Sequence, residues 1–176
     1  FSDNNINSFQ QAADFYKQAA DNIINHVLTD TSIDFDRKIQ SSALAHYYKF
    51  EENDCLYAYN YKNNIFPTAI NCANNAQQEI DKALTIIQTN LTSLNQPTQD
   101  FLLKMQKNWK SSSISIKIKQ LEPIAKKAMM EKDYIKAFDN FNQMLKIQKE
   151  LYEYDEREGL EPVFIRIAKG NYIGMS

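Results

Sequence analysis

The chain is poor in everything that interrupts a helix. Its 176 residues include 3 glycines and 4 prolines, well below the ~7% and ~5% usual for those residues. Glycine stands only at Gly159, Gly170 and Gly174, so no glycine-rich loop can bring backbone amides against a nucleotide phosphate, and a collagen-like or turn-rich all-β chain is excluded as well. Only 2 histidines and 2 cysteines occur. His26 and His46 lie in no His-Glu-x-x-His sequence, beside no cysteine pair of zinc spacing and in no Glu-x-x-His pair, so neither a metal nor another cofactor is expected. A Gly-x-Ser-x-Gly turn is missing too, and Cys55 could reach His46 only through tertiary structure. No catalytic residue is nominated, and the chain is not expected to be an enzyme. Nor is there a run of the ~18 apolar residues that a membrane span requires.

What remains is an ordinary globular composition, 43% hydrophobic and 24% charged with a net charge of −2, which suits one domain over residues 1–176. The charge is uneven. Residues 1–95 carry 6 basic and 11 acidic side chains, residues 96–176 carry 14 and 11, and nine lysines lie between Lys104 and Lys136. The chain opens Phe-Ser-Asp-Asn-Asn without a charged-then-apolar leader pattern, so a targeting segment is expected to be absent or already removed.

Hydrophobic spacing reads as helices almost throughout. Phe9, Ala13, Tyr16, Ala20, Ile23 and Val27 recur at three and four within a helix over residues 3–28. A second helix runs from about Ile33 to Lys62, with a bend or exposed bulge expected at Glu51-Glu52-Asn53-Asp54. Pro67 opens a third, carried by Ile70, Ala73, Ile80, Leu84, Ile87 and Leu91, and Pro97, with Asn95 as its cap, opens a shorter fourth. Ser113 to Lys119 alternates like a strand, yet Ile114, Ile118, Leu121, Ala125 and Ala128 also fit a helical stripe. Helix is preferred, because a lone strand leaves its backbone groups unpaired. Pro123 should kink or restart it. From Asp133 a long helix shows Tyr134, Phe138, Phe141, Leu145 and Tyr152, joined by Ala137, Met144, Ile147 and Leu151, and ends by Gly159. The apolar stretch from Pro162 to Ser176 should dock somewhere, as helix or hairpin. The fold expected is all-α, an antiparallel bundle of about five to six helices.

Ala125, Ala128, Asp133-Tyr134, Ala137, Phe141 and Leu145 resemble half of a tetratricopeptide repeat, in which small residues let two antiparallel helices pack closely. The nearest internal echo, Ala58 against Ala137, lies 79 residues away, no multiple of the ~34-residue period, so convergent helical-hairpin packing is the reading rather than membership of that family.

Three clusters carry functional expectations. Cys55 and Cys72 flank the proposed turn Asn63-Asn64-Ile65-Phe66-Pro67, at heights within ~3 Å of one another at the helical rise. A disulfide there is geometrically open and would make the chain an exported one; two reduced cysteines, in a cytoplasmic protein, are the alternative. Lys104, Lys107, Lys110, Lys117 and Lys119, with Trp109 among them to stack on a base, are candidates for an anionic ligand, although the acidic chain argues against nucleic acid. Seven of the 21 aromatic residues fall between Tyr47 and Phe66. Tyr57, Tyr59 and Tyr61 cannot all face one way on a helix, which points to a partner protein or peptide on that surface. The function expected is therefore a non-enzymatic protein-interaction module, with anion binding through the lysines as the alternative.

Overall fold

The computed structural model describes residues 4–161, so the tail expectations for residues 162–176 lie outside the described residues. Five α-helices follow one another: α1 (Asn4–Asn22), α2 (Phe35–Lys62), α3 (Phe66–Asn90), α4 (Gln96–Met130) and α5 (Tyr134–Arg157), with no strand among the described residues. This is an all-α helical bundle.

Each boundary has a local chemical cause. α1 runs on into a π turn, Ile23–Val27, closed by the Leu28 amide donating to the Ile23 carbonyl at 3.0 Å. The Asp34 carboxylate accepts from the Arg37 amide at 2.9 Å and starts α2, as the Asn95 side chain does from Thr98 at 3.0 Å for α4 and Asp133 from Lys136 at 3.1 Å for α5. α2 stops where Asn64 takes φ +60° and the Ile65 amide reaches back to the Asn60 carbonyl at 2.9 Å. Asparagine is among the few residues that tolerate that left-handed turn. Pro67 then sits in the first turn of α3, where its missing amide hydrogen leaves nothing unpaired.

Helices pack mainly on their neighbours in chain order, α1 on α2, α2 on α3, α3 on α4 and α4 on α5, with a lesser α2–α4 contact. α3 is the centre of this stack. Its Ala69, Ala73, Ala76 and Ala83 are all buried, and a row without bulky side chains lets α2 and α4 approach closely from two sides. Between them lie Phe50, Ile80, Ile87, Leu94, Leu102, Trp109 and Ile116. Trp109 is 1% exposed, its ring stacked on Tyr47 with centroids 4.8 Å apart. It therefore has no face left for a nucleobase.

Three local expectations change. Residues 111–120 and the proposed shorter fourth helix belong to one 35-residue helix that continues through Pro123 without interruption. The alternation of Ser113 to Lys119 is not a strand, because α4 is touched on several sides: Ile116 is buried while Ile114 and Ile118 are half-buried. Glu51 to Asp54 neither interrupt α2 nor bulge outward. Finally, Cys55 and Cys72 are both free. Cys72 is buried at the α2–α3 contact, 3.9 Å from the Asn60 amide. Cys55 stands five residues before Asn60, about 140° around α2 at 100° per residue. Cys72 thus lies beside Asn60, about 7.5 Å along α2 from Cys55 at the helical rise, and Cys55 faces another side, so no disulfide forms and the argument for export through it falls.

The tetratricopeptide-like reading is also overtaken. Ala125, Ala128 and Ala137 do close the α4–α5 hairpin as buried residues, but α4 alone has 35 residues, as long as the whole ~34-residue repeat.

Candidate functional site

The tyrosine-rich part of α2 forms a polar seam against α4. Tyr57, 4% exposed, donates its hydroxyl to Glu122 at 2.7 Å, and the Tyr61 ring stacks on it at 5.6 Å. Lys126 lies 4.6 Å above the Tyr61 ring. One turn earlier, Lys119 pairs with Asp54 at 2.5 Å. Further along, the Tyr47 hydroxyl donates to Glu51. Burial, then the Glu122 hydrogen bond, push the Tyr57 hydroxyl far up, and burial pushes Tyr61 up to about 12. Burial also raises the Glu51 carboxyl, outweighing the Tyr47 hydrogen bond that opposes it. These groups hold two helices together. Tyr57 has too little surface for a partner to grip, while Tyr59 and Tyr61 remain half-buried.

The chemistry available along α2 is quiet. Burial, followed by the charges of Asp54 and Glu51, pushes the Cys55 thiol up to about 11, so it is protonated and a poor nucleophile near neutrality. His46 is nine residues from Cys55, which is half a turn around the helix. Its Nδ1 instead meets the Glu79 carboxylate of α3 at 2.7 Å, and Lys82 meets the same carboxylate at 2.6 Å. Burial raises Glu79, but the Lys82 and His46 hydrogen bonds prevail and hold its carboxyl below the usual range.

The proposed lysine cluster is dispersed. Lys119 is spent on Asp54, and Lys107 lies 3.4 Å from Glu158 just beyond α5, beside the Tyr154 hydroxyl that donates to the Lys107 carbonyl at 3.2 Å. Lys104, Lys110 and Lys117 are exposed.

The two apolar rows of α5 have different surroundings. Ala137 and Leu151 are buried and Met144 and Ile147 half-buried. The row at spacing four, three and four, Tyr134, Phe138, Phe141 and Leu145, is displaced by roughly 100° and faces outward. Ile135 is 78% exposed, Phe138 64%, Tyr134 and Leu145 each 62%. Met129 and Met130, exposed at the end of α4, extend the patch toward the turn. α5 docks on α4, and the side chosen is the one where Ala125, Ala128 and Ala137 permit close approach. The signal was present in the two competing apolar rows; the small residue in one of them marked the packed side.

Among the described residues no group of three or more His, Cys, Asp or Glu side chains is arranged to hold a metal, and no helix is long and apolar enough to cross a membrane. No protein-family model matches the chain, and neither the curated proteins nor the solved structures include a significant match.

Proposed function

We propose that this protein is a non-enzymatic docking module that binds another polypeptide through the outer face of α5. The observation that carries the reading is the contiguous exposed row Tyr134, Ile135, Phe138, Phe141 and Leu145. Isolated apolar side chains on a surface are ordinary; a row of five, with aromatic anchors, is the composition of an interface core. A complementary helix with aliphatic side chains at three and four would fill it, as in helix-in-groove recognition.

The test compares Phe138→Glu combined with Leu145→Glu against Tyr59→Ala combined with Tyr61→Ala, reading native assemblies of the chain from producing cells by mass. The α5 pair should abolish the assembly and leave the helical content intact. If the α2 pair abolishes it and the α5 pair does not, the partner sits on the tyrosine surface and this placement is wrong.

A further inference from the structure

We infer that the polypeptide received by the α5 face is a second copy of this chain, lying antiparallel about a two-fold axis between Phe138 and Phe141. The inference rests on the docking reading above and names its occupant.

The spacing of the row is the first ground. Tyr134, Phe138, Phe141 and Leu145 repeat at four, three and four, the seam of two helices that pack side by side. Closed two-fold interfaces must be self-complementary, residue i of one chain meeting residue j of the other and j meeting i. Antiparallel apposition about the middle of the row meets this condition. It sets Phe138 of one chain on Phe141 of the other, twice, and Tyr134 on Leu145, twice, so each layer pairs the two alternating seam positions.

Charge at the borders of the row selects the direction. Glu131, Lys132 and Asp133 precede it with a net charge of −1, and Lys146, Lys149 and Glu150 follow it with a net charge of +1. Antiparallel pairing brings the negative border of one chain to the positive border of the other; parallel pairing would set like borders together. Among the described residues Glu131 pairs with exposed Lys127, and Lys149 with exposed Glu153, each at 3.7 Å. Such surface pairs are weakly held and exchange at little cost.

Area is the third ground. Taking ~200 Å² for an aromatic side chain and somewhat less for an aliphatic one, the exposed parts of the row with Ile135, Met129 and Met130 amount to roughly 700 Å². That exceeds the ~300–600 Å² apolar patch of an ordinary monomer and approaches the ~800 Å² per partner of a stable interface.

Sedimentation equilibrium of the full chain between about 1 and 100 μM tests this. The expected result is a mass rising to that of two chains. Phe138→Glu should weaken the dimer about a hundredfold, since each substitution is met twice. Glu131→Lys should weaken it too, and Lys146→Glu with Lys149→Glu in the same chain should restore it, a rescue that a merely structural role would not give. Leu145→Gln, with unchanged circular dichroism, carries the same expectation should a glutamate disturb α5. A dimer indifferent to all of these overturns the inference, as does a monomer throughout. In a monomer, a stripe that binds an apolar dye leaves the docking reading standing for a different partner, whereas a stripe closed to the dye overturns both.

Discussion

At the scale of single residues, the same side-chain type does opposite things according to what lies beside it. Glu51 and Glu79 are both half-buried carboxylates, yet burial raises the first while hydrogen bonds with Lys82 and His46 lower the second against burial. The consequences for stability run in opposite directions. Glu51, raised, favours the fold most below its ordinary value near 4.5 and loses that contribution as pH rises through its folded value. Glu79, lowered, favours the fold above 4.5 and loses its contribution as pH falls through its folded value. Urea unfolding of Glu51→Gln should therefore match the parent near pH 4 and exceed it at pH 7, where the parent carries a charge it holds poorly. Glu79→Gln should do the reverse, weakening the protein at pH 7 and little in acid. Trp109 gives the largest single effect: Trp109→Ala removes the ring stacked on Tyr47 and should cost about 3–5 kcal/mol in the same measurement. Thiol titration of the denatured chain should return two free thiols, with Cys72 reacting much more slowly than Cys55 when the chain is native, since Cys72 is buried and Cys55 half-buried.

At the scale of elements, capping and turn chemistry decide where helices stop, and these were readable in advance. Asn95, Pro67, Pro97, Asp133 and Gly159 stand at the boundaries their chemistry indicates. Asn95→Ala should cost about 1 kcal/mol in equilibrium unfolding, the ordinary worth of such a cap. Lys132, held at φ +61° in the α4–α5 turn, has no such excuse. Lys132→Gly removes the clash between a Cβ and the backbone in that conformation and should stabilise the chain by about 1 kcal/mol. Harder to read were the elements with more than one apolar side. α4 is packed by three helices, so its hydrophobic pattern carries neither the single stripe of a surface helix nor a clean end, and Pro123 was weighed too heavily as a breaker. α5 offered two apolar rows, and periodicity alone does not say which is inside. In the cysteine pair, equal distance from the turn did not make neighbours: Cys72 packs beside Asn60, five residues and about 140° around α2 from Cys55.

At the scale of the whole molecule, the topology accounts for the apolar side chains exposed on α5. Among the described residues, packing in chain order leaves α5 covered by α4, while α2, α3 and α4 are covered on several sides. A small residue, Ala137, takes the inner position on α5, and the larger Tyr134, Phe138 and Leu145 are left facing out. The bundle itself was visible from the scarcity of glycine and proline; the open face of α5 was not, because which face of a helix is open depends on how many neighbours the fold supplies.

The central claim, that this face serves another polypeptide, is tested most directly by photo-cross-linking. A benzophenone side chain replaces Phe138 in one chain and Lys117, exposed on α4, in a control, and the adducts formed in the producing cell are sequenced. The account predicts an adduct between two polypeptides from position 138, joined at an apolar helical segment, and none from position 117. Adducts from position 138 confined to the same chain would contradict it.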